Sequence, residues 1–103
     1  MAKFDKFSRV SDFLSPDEVL AQMAEELTEM AQAALKLRRA LTGTNPTPIT
    51  VGECRRNLLE EYADVLVCKQ VFDEYEDDFF HGAEDIAARK YERWLKRLEK
   101  YDG

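Results

Sequence analysis

Seven consecutive residues, Thr42-Gly43-Thr44-Asn45-Pro46-Thr47-Pro48, divide the chain and dictate what its two sides can become. Two prolines and a glycine in so short a stretch end any helix that enters it. On the near side, Val19, Leu20, Met23, Leu27, Met30, Ala34, Leu37 and Leu41 keep the spacing of one helix face. Ser15-Pro16-Asp17-Glu18 is a start signal for that helix. Ser15 is a capping residue, Pro16 suits the first helical position and Glu18 completes a capping box. Lys36, Arg38 and Arg39 fall in its last turns, where cations complement the helix dipole. On the far side, Thr50 and Glu53 form a second capping box, and the spacing predicts a helix running to about Phe80, with His81-Gly82 as its exit. A third helix is predicted over 83–101, carrying Ile86, Ala87, Tyr91, Trp94, Leu95 and Leu98. The expected fold is all-α: a long antiparallel helical hairpin plus a third helix. Residues 1–14, with Phe4, Phe7, Val10 and Phe13 scattered among charges, read as an arm that packs loosely or against a partner. Residues 15–103 read as one helical domain, since 103 residues support one modest core.

The second helix carries a further message. Val65-Leu66-Val67-Cys68 is apolar on every face of one turn. A helix apolar all round is buried all round, and two neighbours from one chain cannot cover it. The expectation is an oligomeric helical bundle built around this helix, a homodimer or homotetramer.

Composition excludes several classes. With 45% hydrophobic and 35% charged residues the chain is globular rather than disordered. A net charge of −6 argues against a nucleic-acid binder. No apolar run approaches the ~20 residues of a membrane span, and MAKFDKFSRV contains no secretory core. Cys54 and Cys68 lie on one helix about 21 Å apart and cannot bridge each other. They read as reduced thiols of a cytoplasmic protein.

Chemistry points to two acidic pairs, Glu26/Glu29 and Glu61/Asp64, each three residues apart and so on one helix face. Spacing alone is weak, for Glu74/Asp77 matches it too, and a solvated acidic face is the default. Neighbourhood adds weight. Met23, Met30 and Ala33 flank Glu26, while Leu58, Val65 and Cys68 flank Glu61, so these acids interrupt apolar stripes. Uncompensated buried carboxylates are costly and repel one another, and a divalent cation resolves both. Register agrees: Glu29 lies 17 residues before Pro46 and Asp64 lies 18 after. Folded as a hairpin, the pairs face each other as one four-carboxylate cluster, a donor set for Mg²⁺ or Mn²⁺. The same folding brings Lys36, Arg38 and Arg39 level with Arg55 and Arg56, a basic end suited to a phosphate-bearing ligand.

Glu25-Glu26-Leu27-Thr28-Glu29 followed by Glu61-Tyr62-Ala63-Asp64-Val65-Leu66 resembles the EExxE…ExxD signature of MazG and related all-α nucleoside triphosphate pyrophosphohydrolases. The surrounding residues 30–39 and 57–60 are similar to that family, as is the basic segment 90–98, so the resemblance spans about residues 16–98. It implies Mg²⁺ held by Glu26, Glu29, Glu61 and Asp64, with Glu25 orienting water or accepting its proton. It implies hydrolysis of a nucleoside triphosphate to monophosphate and pyrophosphate, with Lys36, Lys90, Arg93 and Arg97 as candidates for phosphate contact. The Pro-containing loop makes the gap between Glu29 and Glu61 longer than in the tightest members. Tyr62, Tyr91 and Trp94 could stack on a base, though core packing accounts for such aromatics more often. A di-iron bundle needs ExxH pairs, and the sole histidine, His81, sits at a helix end. The rival from another class is a non-catalytic helical interaction protein, or a pseudoenzyme keeping the scaffold.

Overall fold

Ser15 opens the first helix as its capping box requires. Glu18 reaches back to accept hydrogen bonds from the Ser15 amide (3.1 Å) and hydroxyl (2.7 Å). Those bonds hold the Glu18 carboxyl below the ordinary glutamate value. In the computed structural model, which describes residues 7–43 and 49–102, this helix, α1, spans Pro16–Thr42. It ends on Gly43, whose φ of 67° is the left-handed conformation that a residue without Cβ adopts at least cost. The proposed folding point, Pro46, lies outside the described residues. Thr50 starts α2, Val51–Tyr75, by accepting a 3.1 Å hydrogen bond from the Glu53 amide. The two helices pack against each other along their length as an antiparallel hairpin. A third helix, α3, spans Ala83–Asp102. The described residues are helical apart from short connections, and they contain no strand.

One boundary differs from the sequence expectation. α2 stops at Tyr75, five residues before Phe80. Glu74, Glu76, Asp77 and Asp78 crowd the point where the helix dipole is already negative, which opposes continuation. Asp78 takes φ 52°, and a 3₁₀ turn, Phe79–Gly82, leads straight into α3. His81 and Gly82 therefore belong to the entrance of α3, where His81 Nδ1 lies 3.3 Å from the Glu84 carboxylate. The break serves packing. Phe72 meets Phe79 and Phe80 edge to face at 5.4 and 5.7 Å between ring centres. The Phe80 amide donates to Asp73 Oδ1 at 3.4 Å.

The arm docks within its own chain. Val10–Asp12 forms a 3₁₀ turn against the end of α2. The Ser11 amide donates to Glu74 Oε1 (3.1 Å), and the Tyr75 hydroxyl donates to the Leu14 carbonyl, with the Ser11 carbonyl at 3.5 Å. Residues 1–6, Phe4 among them, lie outside the described residues.

The core is small and sits at this foot of the hairpin: Val19, Val71 and Phe72, with Tyr75 and Phe80 against them. Further along, Ala33, Cys54 and Cys68 are buried, and both thiols are free. Much apolar surface stays open. Leu66 and Val67, on the all-apolar turn of α2, are 42% and 55% exposed. α3 contacts appreciably only the 3₁₀ turn before it, so Tyr91, Trp94, Leu95 and Leu98 have no cover. The radius of gyration is 18.3 Å, against about 13 Å for a compact chain of this size. Among the described residues no helix is long and apolar enough to cross a membrane.

Candidate metal centre

The hairpin register brings carboxylates to the seam between α1 and α2. Glu26, Glu29 and Glu61 each offer an oxygen within 4.8 Å of the others. Glu26 and Glu61 are half-buried, as expected of acids that interrupt an apolar stripe, and Glu29 is exposed. One oxygen of each half-buried acid, Glu26 Oε2 and Glu61 Oε2, is shut off from solvent with no hydrogen-bond partner. Buried polar atoms are nearly always paired, so two orphans on acids of one cluster would be satisfied by a cation, an ordered water or a shared proton. All donors are carboxylate oxygens, the set preferred by Mg²⁺ and Mn²⁺.

Not every predicted ligand joins them. Asp64 is exposed and falls outside the three-way convergence, although its charge is felt by both Glu26 and Cys68. Glu25 is exposed and also outside the trio. A cleft of about 300 Å³ adjoins the acids, lined by Glu29, Gln32, Ala33, Lys36, Cys54, Asn57 and Glu61. Lys36 is the cation within it. Arg38, Arg55 and Arg56 are exposed and do not line it, nor does the half-buried Arg39. Lys90, Arg93 and Arg97 stand on α3 around Trp94, apart from the cleft.

Three polar residues here went unremarked as site residues in the sequence. Gln22 donates to Glu26 Oε1 at 2.9 Å from one turn before it. Asn57 lies four residues before Glu61 and Gln32 three after Glu29, so helical spacing from the acids was the signal.

The electrostatics of Glu26 make a prediction. The Gln22 hydrogen bond favours its ionised form, but desolvation, the charges of Glu29 and Asp64 and a hydrogen bond between the Glu26 and Glu29 carboxyls together outweigh it and raise its pKa above the ordinary value of 4.5. A carboxyl raised in the native state binds a proton there before the unfolded chain does. Metal-free protein should therefore gain stability as pH falls through the raised value towards 4.5, measured by denaturant midpoint at a series of pH values. Glu26→Gln should flatten that gain. Burial, with the charges of Glu26 and Asp64 beside it, likewise pushes the Cys68 thiol up and keeps it protonated.

No protein-family model, curated protein or solved structure matches this chain.

Proposed function

We propose that this chain is a cytoplasmic, divalent-metal-dependent nucleoside triphosphate pyrophosphohydrolase of the MazG-like all-α kind, working as a homo-oligomer. The observation that carries the reading is the carboxylate trio, with two unpartnered buried oxygens, at the edge of a cleft that holds a lysine. The resemblance of the EExxE…ExxD segments supplies the reaction. Glu26, Glu29 and Glu61 would hold the ion, and Asp64, outside the trio, would add its charge from the margin. When bound, Mg²⁺ or Mn²⁺ supplies charge neutralisation at phosphate oxygens and a water of lowered pKa.

The protein's own residues do the rest. Phosphoryl transfer depends mainly on positioning and charge balance. Lys36 opposes the developing charge on the pyrophosphate side. Gln32 and Asn57 offer neutral hydrogen bonds that orient the ligand without adding charge. An exposed acid at the margin, Glu25 or Asp64, accepts the proton of the attacking water. The cleft is at the small end of ligand sites, ample for a phosphate chain.

A pyrophosphate-release screen tests this directly, using standard and modified NTPs and dNTPs with Mg²⁺ or Mn²⁺. Metal-dependent release from at least one nucleotide is expected. Silence across the panel would select the rival, a non-catalytic helical interaction protein, which the uncovered apolar face of α3 also favours.

A further inference from the structure

We propose that α3 of one copy docks into an apolar groove on the hairpin of a second copy, in a reciprocal dimer that carries Lys90 and Arg97 to the partner's acidic cleft. The helix side of the contact is a stripe. Tyr91, Trp94, Leu95 and Leu98 recur at helical spacing and are 69%, 59%, 47% and 51% exposed. A 20-residue helix with so little support from its own chain is marginal in water, so its apolar face needs a neighbour.

The groove side lies on the foot of the hairpin. Val10, Leu14, Val19, Val67, Cys68 and Val71 line a hollow of about 130 Å³ with a wholly apolar wall. Gln22 lies at its edge, and this is the residue that donates to Glu26. The groove therefore borders the carboxylate trio. Charge selects the occupant. Residues 16–29 of α1 hold five acids and no base, and residues 60–64 add three more acids. Residues 89–100 of α3 hold six cations against two glutamates. On a helical wheel Lys90 and Arg97 flank the Trp94 side of the apolar stripe, so seating the stripe leaves them at the interface margin, while Arg93 faces further away. A second copy supplies both the complementary groove and the complementary charge, and two exchanged helices make the contact twice.

Docking is read without catalysis; only the delivery of the cations to the cleft rests on the proposed chemistry. Trp94 is the sole tryptophan, so its emission reports the contact. Sedimentation of the full chain should show a dimer with blue-shifted emission, moving to red as dilution releases monomer. Leu98→Asp and Val67→Asp should each give monomers, and because both sites are exposed in the protomer the hairpin should stay folded, with far-UV circular dichroism losing no more than the signal of α3. Mixing the two variants should restore a heterodimer through the one undamaged contact. Raising salt from low to ~0.5 M should weaken the wild-type dimer roughly tenfold or more. For the cleft, mixing Glu61→Gln with a Lys90→Ala/Arg97→Ala variant should recover roughly one quarter of wild-type activity through heterodimers with one complete site. Monomer at every concentration would overturn the proposal. So would a Val67→Asp protein that stays dimeric while Leu98→Asp does not, since α3 would then pair with α3. Emission that shifts only on anionic phosphatidylserine vesicles, with the protein still monomeric, would assign the stripe to a lipid surface instead.

Discussion

Glu61→Gln is expected to abolish both metal-linked stabilisation and pyrophosphate release. Glu61 is one of the two half-buried acids of the trio, and its Oε2 has no partner within the protein. The amide keeps the shape but removes a charge from the donor set. A ligand that binds only the native state at 100 times its Kd stabilises by about 2.7 kcal/mol, or roughly 10–20 °C for a domain of this length. Wild-type protein should show a rise of that order with saturating Mg²⁺ or Mn²⁺, and the variant should show little. Release of pyrophosphate should fall by roughly two to three powers of ten, the scale on which loss of one transition-state contact is felt. Without metal the variant should melt no lower than wild type, because one member of a like-charged cluster has been neutralised. A variant that kept full metal response would show that the carboxylates do not act together.

Phe72→Ala is expected to give the largest loss of stability of any single truncation in this chain. Phe72 is 7% exposed and belongs to the core with Val19 and Val71. It also receives Phe79 and Phe80 edge to face, and these residues lead into α3. Removing a buried phenylalanine costs about 3–5 kcal/mol. Domains are stable by only about 5–15 kcal/mol in total, so much of the folded population is at stake. Urea unfolding should show a much lower midpoint. Hydrogen exchange should show protection lost first over the segment from Phe79 onward. The carboxylate trio, several turns away, should keep any response to metal for as long as the hairpin holds.

Local rules made the hairpin legible. Ser15 with Glu18 and Gly43 satisfy helix-end backbone groups as their spacing predicts, whereas at Thr50 only the half of the capping box in which Thr50 accepts from the Glu53 amide is formed. The half-burial of Glu26 and Glu61 was legible because they replace apolar residues on a buried stripe. Asp64 shares a helix face with Glu61 only loosely at three residues' distance, and that turn is enough to leave it on the solvent side. The end of α2 was misread because Val71, Phe72, Tyr75, Phe79 and Phe80 keep helical spacing straight across the break. The opposing signal was the run Glu76-Asp77-Asp78, an electrostatic matter that hydrophobic periodicity does not register. The detachment of α3 had no local signature: an amphipathic pattern says that a face must be covered, not which surface covers it.

The two rods are joined by the chain itself at one extremity and by the aromatic knot around Phe72 at the other, with the acids at mid-span. Neutralising the acids at mid-span would relieve their mutual repulsion, and each end contact would resist the separation that the bare charges favour. Affinity for a cation would thus be adjustable from afar, by stiffening or slackening either anchorage while leaving every ligand untouched.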